Sequence, residues 1–346
     1  MRPLWKQKKA FFYKLQPFFF RTGLRYLAWF KLLEPFISIC IPAYKRVGFL
    51  RRLLDSIALQ SYRHFEVVVS DDSDDDSVQR LMAEYQSRFP LRYYKNSPAL
   101  GTPANWNYAI SKAEGEWIKL VHDDDWFASA NSLAIFARHA GNGKRFVFSA
   151  YRNIFTDTGR EEEKRWKVPY NKAILREPNI LLADNVIGPP SVTLVHRDIA
   201  QQYDERLKWR VDMEFYIRLL RQEQQYCYID EPLVNVGISQ TQVTESCIYN
   251  PAVELPEGWL LLEKHGRRAL RNIWVYDAWW RLLRNMEIRS VDQLTRYVPA
   301  AWPPVIYAMV KDLSLCPRVW LKLGAVSKIW MGLSYVKNYA KTGVAR

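Results

Sequence analysis

The sequence predicts an α/β protein, a mostly parallel sheet with helices on both faces, extended by a helical C-terminal region. Three observations lead there. From residue 36 onward, short apolar runs alternate with stretches of helical period. Acidic and small polar residues gather directly after those runs, where open sheets of this kind bind ligands. The surplus of positive charge is confined to the two ends of the chain.

Taken in order, residues 36–41 (FISICI) read as a buried strand stopped by Pro42, since proline cannot donate to a ladder. Leu50, Leu53, Leu54 and Ile57 then recur at helical spacing. Residues 65–69 (FEVVV) form the second strand and lead through an acidic turn into a helix over 78–88. A third strand covers 91–95, a helix 102–113, and a fourth strand 117–121. Later, 192–195 reads as a strand, and Phe215, Ile217 and Leu219 lie on the apolar face of a helix. These elements divide the chain into an arm at 1–35, a catalytic domain at 36–255 and a helical region at 256–346.

Of 346 residues, 49% are hydrophobic and 14% aromatic, and the formal charge is +14. Residues 1–36 hold eight Lys/Arg against Glu34 alone, and 261–346 hold fifteen against five acids. The centre, 37–260, has 27 basic and 30 acidic residues. A central domain that met nucleic acid would be basic, because phosphate neutralisation supplies most of that affinity. Nucleic acid is therefore not expected as a partner; the remaining route to it is a non-enzymatic scaffold binding through the ends.

The arms interleave aromatic rings with Lys and Arg, Trp274, Trp279, Trp280, Trp302, Trp320 and Trp330 among them. That pattern suits an anionic membrane surface, and equally suits helices packed on the main domain. Lys14 and Arg21 break the N-terminal arm as a signal peptide, and prolines break 297–310 as a span. Cys40, Cys227, Cys247 and Cys316 form no Cys-x-x-Cys pair and read as reduced thiols. The expected location is cytoplasmic, peripheral on the cytosolic face of the inner or plasma membrane.

Two acidic runs, 70–76 and 122–125, sit after predicted strands. Clustered carboxylates are hard donors for Mg²⁺ or Mn²⁺. The first run can also be a solvated turn capping its helix through Asp75, Asp76 or Ser77. The second follows an apolar strand and precedes Trp126 and Phe127, so a metal role is expected there. Phosphate loops, dinucleotide fingerprints, nucleophile elbows and histidine ligand spacings are all missing from the sequence.

Residues 39–44 (ICIPAY), 67–73 (VVVSDDS), Gly101 with Asn105 and Asn107, 115–118 leading into 122–126, and 211–215 (VDMEF) together resemble family 2 glycosyltransferases of the GT-A fold. The resemblance covers about 36–255 and implies an inverting, metal-dependent enzyme that uses a nucleoside-diphosphate sugar. It implies that Pro42, Ala43 and Tyr44 line the nucleoside pocket, that Asp72 meets the base, and that Asp123 meets the ribose–diphosphate region. Arg46, Asn105 and Asn107 stand on the same donor side. Asp124 would hold Mn²⁺ or Mg²⁺ across the diphosphate. His122 replaces the first acid of the usual Asp-x-Asp-Asp; a local hydrogen bond is expected of it ahead of a ligand role.

The resemblance further implies Asp212 as the general base, against the alternative of a helix cap, with Glu214 in reserve. Trp126, Pro190, Ser191, Glu214 and Gln242 would face the acceptor, on segments that read equally as ordinary turns. The expected acceptor is a saccharide or lipid-linked saccharide in cell-surface polysaccharide synthesis, a soluble or protein acceptor being the alternative.

Overall fold

A computed structural model describes residues 36–140, 142–166, 170–239 and 247–340. The N-terminal arm and the segment holding Gln242 lie outside the described residues.

The strands and helices run in the order β1 (Ile37–Ala43), α1 (Val47–Ala58), β2 (Phe65–Asp71), α2 (Ser77–Tyr85), β3 (Leu91–Lys95), α3 (Ala104–Lys112) and β4 (Trp117–Leu120). Next come β5 (Trp126–Phe127), α4 (Ser132–Ala140), β6 (Phe146–Phe155), β7 (Glu161–Lys164), α5 (Tyr170–Arg176), β8 (Thr193–His196), α6 (Val211–Glu223) and β9 (Cys227–Ile238). The C-terminal region holds α7 (Pro251–His265), α8 (Ile273–Asn285), α9 (Val291–Tyr297), α10 (Pro304–Leu315), α11 (Arg318–Lys322) and α12 (Gly324–Asn338). Helix α7 crosses the domain boundary expected after residue 255.

One sheet runs β3-β2-β1-β4-β8-β6-β9-β5, with β7 on β6. The first four strands are parallel, as expected. Beyond β4 the sheet is mixed: β8 is antiparallel to both neighbours, and only β6 and β9 are parallel. The chain leaves β1 toward β2 and β3, then returns to β1's other edge as β4. That reversal opens a crevice at the carboxyl ends of β1 and β4, the place where open α/β sheets bind ligands.

Alternation explains β1. Ile37, Ile39 and Ile41 enter one apolar layer with Leu50, Leu53, Leu54 and Ile57 of α1, while Cys40 enters the opposite layer with Leu120 and Phe215. Burying each of those large side chains contributes about 1.5–3 kcal/mol. Pro42 does not end the strand, which continues to Ala43. Pairing with β4 stops at Cys40–Leu120, so no ladder donor is demanded of Pro42 on that side.

A third apolar cluster lies among the C-terminal helices and includes Trp279, Trp280, Trp302, Tyr276 and Met309. Packing accounts for those three tryptophans. Cys40, Cys227, Cys247 and Cys316 form no disulfide. No helix among the described residues is long and apolar enough to cross a membrane.

Candidate active site

The turn after β1 places Lys45 in the left-handed region at φ 60°, with its N–H donating to Ser73 Oγ at 2.8 Å. Arg46 follows as the residue before α1, with its side chain free of capping duty. It reaches across the crevice to the end of β4. Its Nη1 lies 2.8 Å from Asp124 Oδ2, its Nε 3.3 Å from Asp123 Oδ2, and its Nη2 bonds Asp123 Oδ1. A cation from one strand end therefore meets two carboxylates from the other. Burial pushes the Asp123 carboxyl up to about 7 against the pull of Arg46.

Behind that pair, His122, Asp124 and Asp125 each offer a ligand atom, and these atoms all lie within 4.8 Å of one another. The His122 N–H donates to Ser191 Oγ at 2.9 Å, but its ring Nε2 is buried with no hydrogen-bond partner. The expectation of a local hydrogen bond holds for the backbone alone. Burial lowers the imidazole to about 4, leaving it neutral, the form that binds metals. Asp125, not expected as a site residue, is buried and raised well above the carboxylate range, with Oδ1 accepting from Gly237 N at 3.1 Å. Gly237 is dictated by closeness: a Cβ there would stand 2.4 Å from the Asp124 carbonyl oxygen. A neutral imidazole with an unpartnered buried nitrogen beside the carboxyl groups of Asp124 and Asp125 fits a divalent cation, whose charge would favour their ionised forms.

Asp212 lies in the first turn of α6, two residues past the N-cap Arg210, so it is not the cap. Its Oδ2 accepts from Asn185 Nδ2 at 2.7 Å and its Oδ1 from Met213 N at 2.7 Å. Burial raises it from 3.8 to about 6 despite those bonds. Asn185 also lines a cleft of about 280 Å³ walled by Phe148, Tyr151, Trp166 and Tyr228. Gly188, at φ +101°, underlies Tyr151, whose ring would be 2.6 Å from an added Cβ. The Tyr151 hydroxyl is raised to about 12 by burial, then by the charges of Asp184, Asp212 and Asp125. One side chain thus feels both the base candidate and the acidic cluster at the end of β4.

The other expected site residues are placed as follows. Asn107 spends its amide on Tyr203 N and O and on Glu205, tethering a loop instead of facing a donor. Asp72 accepts from Asn96 Nδ2, Leu100 N and Gly101 N, so it shapes the 96–101 wall. Asn105 sits at the same wall, 3.4 Å from the Ala43 carbonyl oxygen. Pro42 and Ala43 are buried within β1; Tyr44, 54% exposed, is the one of the three that opens to solvent. Pro190 and Ser191 are buried beneath the site, where the Ser191 carbonyl accepts from the buried Lys119 ammonium. Trp126 lies under the Arg52 guanidinium, 3.5 Å from the ring centroid. In the first acidic run Asp75 accepts from Ser77 N, which is the turn reading.

Glu214 is 0% exposed and lies 2.7 Å from Lys264 Nζ, 2.8 Å from Arg218 Nε and 3.4 Å from His265 Nε2. Burial alone would raise it; hydrogen bonds from His265, Arg218 and Lys264 hold it down at about 2. It cannot face an acceptor. Glu214→Gln is expected to cost about 1.5–3 kcal/mol in urea melts, because it weakens the charged hydrogen bonds from Arg218 and Lys264 to a buried carboxylate. A raised acceptor KM at unchanged stability would instead return Glu214 to the acceptor side.

Residues 38–204 match the profile described as Glycosyl transferase family 2. Among relatives, the chain is 25% identical over 218 residues to the putative colanic acid biosynthesis glycosyl transferase WcaA of Escherichia coli K12, covering 62% of this chain and 77% of that one. It is 34% identical over 103 residues to the abequosyltransferase RfbV of Salmonella typhimurium LT2, covering 29% and 31%. Among solved structures, S. aureus TarS 1-349 in complex with UDP-GlcNAc superposes with a TM-score of 0.54 at 16% identity, over 90% of this chain and 93% of that one. The mannosyltransferase PcManGT of Pyrobaculum calidifontis, in complex with GDP-Man and Mn²⁺, gives 0.51 at 16% identity, over 88% and 87%. These likenesses place the sheet and its flanking helices in the GT-A fold. Through residues 38–204, which contain Arg46 and the whole His122–Asp125 run, the chain belongs to glycosyl transferase family 2.

Proposed function

We propose that this protein is a metal-dependent inverting glycosyltransferase that moves a sugar from a nucleoside diphosphate to an acceptor hydroxyl. The observation that carries the reading is the pairing of two different acidic sites. His122, Asp124 and Asp125 bring together the donor set for a divalent cation at the sheet's reversal, and Asp212 is a separate half-buried carboxyl raised to about 6. A general base works best with a pKa close to the operating pH.

Asp124, Asp125 and His122 would hold Mn²⁺ or Mg²⁺, the imidazole favouring Mn²⁺ as the softer of the two, and the cation would stabilise charge on the leaving diphosphate. Arg46 already supplies one positive charge at that place. Asn185 fixes the Asp212 carboxylate by its 2.7 Å bond. Asp212 takes the acceptor proton as the acceptor oxygen bonds to the anomeric carbon. The bond from that carbon to the diphosphate oxygen breaks, its electron pair leaves with the diphosphate, and attack from the opposite face inverts the centre. The cleft beside Asn185 suits the acceptor, since its aromatic walls offer apolar faces to sugar rings.

The relatives named for colanic acid biosynthesis and abequose transfer support a saccharide or lipid-linked saccharide acceptor in polysaccharide synthesis, reached at the cytosolic membrane face. Burial of Trp279, Trp280 and Trp302 favours the second reading, a soluble or protein acceptor. The test is a donor screen: UDP-, GDP-, dTDP- and CDP-sugars with Mn²⁺, read by slow donor hydrolysis and thermal shift. At least one donor is expected to be both hydrolysed and stabilising. If every donor is inert on both readouts, the transferase reading fails.

A further inference from the structure

Helix α12 is inside out. Its fully buried residues are mostly polar: Ser327, Ser334 and Asn338, with Met331 the one large apolar residue among them, while Trp330 and Tyr335 are half-buried against the helical core. The side it exposes carries Ile329, Leu333 and Val336, which are 65, 62 and 76% exposed and fall on one helical stripe. Val319, Trp320 and Leu323, just before α12, are exposed as well. An ordinary surface helix would turn the other way.

Hydrogen bonds fix this orientation. Trp280 Nε1 donates to Ser327 Oγ at 3.2 Å, and Tyr276 OH pairs with Ser334 Oγ at 2.8 Å. Ser334 Oγ and Asn338 Nδ2 both donate to Asp312 Oδ2, at 2.6 and 2.7 Å. Rotating α12 to hide its apolar stripe would strand these groups in the core. The exposed stripe is thus built into the fold, and an apolar patch of this kind marks an interaction surface.

Its charge identifies the partner. Residues 313–340 contain Arg318, Lys322, Lys328 and Lys337 and no Asp or Glu. Lys328 and Lys337 are 63 and 59% exposed, while the acids they meet, Asp277 and Asp312, lie beneath them in the helical core. Cations therefore form the outer layer around an apolar stripe, with Trp320 and Tyr339 half-exposed at its two ends. Apolar side chains bury at the headgroup boundary, lysines meet anionic lipid, and Trp and Tyr prefer that same depth.

We infer that the α11–α12 face is the surface by which this protein docks on an anionic lipid bilayer. The inference rests on the membrane-face part of the reading above and gives it a location. The stripe holds the protein parallel to the surface without crossing it.

The test is flotation of the full chain with vesicles of phosphatidylcholine, with or without phosphatidylglycerol. Flotation is expected only with phosphatidylglycerol. Leu333→Asp/Val336→Asp is expected to lower the bound fraction by about tenfold or more, and Lys322→Glu to lower it severalfold. All three positions are exposed, and unchanged melting of the variants confirms folding. Failure to float, or equal flotation of the double variant, overturns the inference. So does a dimer by light scattering that the double variant dissolves, since the face would then meet a second copy. Flotation reads no turnover, so an inert donor screen with intact flotation sinks the transferase reading alone.

Discussion

Asp212→Asn is expected to slow transfer by about 10²–10⁴-fold while retaining donor binding and raising the stability of the fold. The two effects have one cause. Burial lifts the Asp212 carboxyl from 3.8 to about 6, so the folded chain holds a charge it disfavours at neutral pH. Between those two values the native state binds more protons than the unfolded chain. The stability contributed by this group is therefore fully present below about 3.8 and lost as pH rises through about 6. An uncharged amide removes the penalty, a gain of about 1–3 kcal/mol at neutral pH. Turnover by the native enzyme runs the other way, rising with pH through about 6 and levelling above it, because the carboxylate is the active form. Kinetics and thermal melts of both proteins at acid and neutral pH check this. A variant that turns over normally but melts lower would make Asp212 a helix-terminus anchor for Met213 and nothing more.

Asp124→Ala is expected to abolish the thermal shift that a nucleoside diphosphate gives with Mn²⁺ or Mg²⁺. At a hundredfold excess over Kd such a ligand stabilises by about 2.7 kcal/mol, which a melt resolves easily. Asp124 is one of the three groups whose ligand atoms converge, so its loss leaves His122 and Asp125 alone. The fold should survive, because Arg46 keeps its contacts with Asp123. A shift of full size that needs no metal, in either protein, would remove the metal assignment.

What the sequence made legible is the local part of this structure. The strands at 37–43, 65–71, 91–95 and 117–120 and the helices between them follow from period and composition, and each lies near its expected range. The second half of the sheet follows from pairing across long stretches of chain. β9 joins β6 through an irregular register, and β5 has two residues, too few to show a period. The site divides in the same way. Asp124 and Asp212 sit on motifs, so their candidacy was legible. Glu214, two residues from Asp212, was not, because its direction is settled by Lys264 and His265 from α7. Asp125 was hidden in a run of three acids; its burial, its bond from Gly237 and its convergence with His122 and Asp124 separate it from an ordinary turn residue. Tryptophan in the C-terminal region read as membrane-facing or packed with equal ease; burial assigns Trp279, Trp280 and Trp302 to packing and leaves Trp320 outside.

Arg46 gives the crevice a counterion of its own. Many metal-binding sites are assemblies of like charges that hold together only when the ion is present, so removing the ion unfolds the protein. Here a guanidinium from the neighbouring strand end already pairs with both Asp123 and Asp124, setting one positive charge against the two carboxyls. Under the metal role proposed above, folding would not wait for loading, and a cell short of divalent ions would keep a standing stock of folded, unloaded protein that the returning ion would recruit without new synthesis.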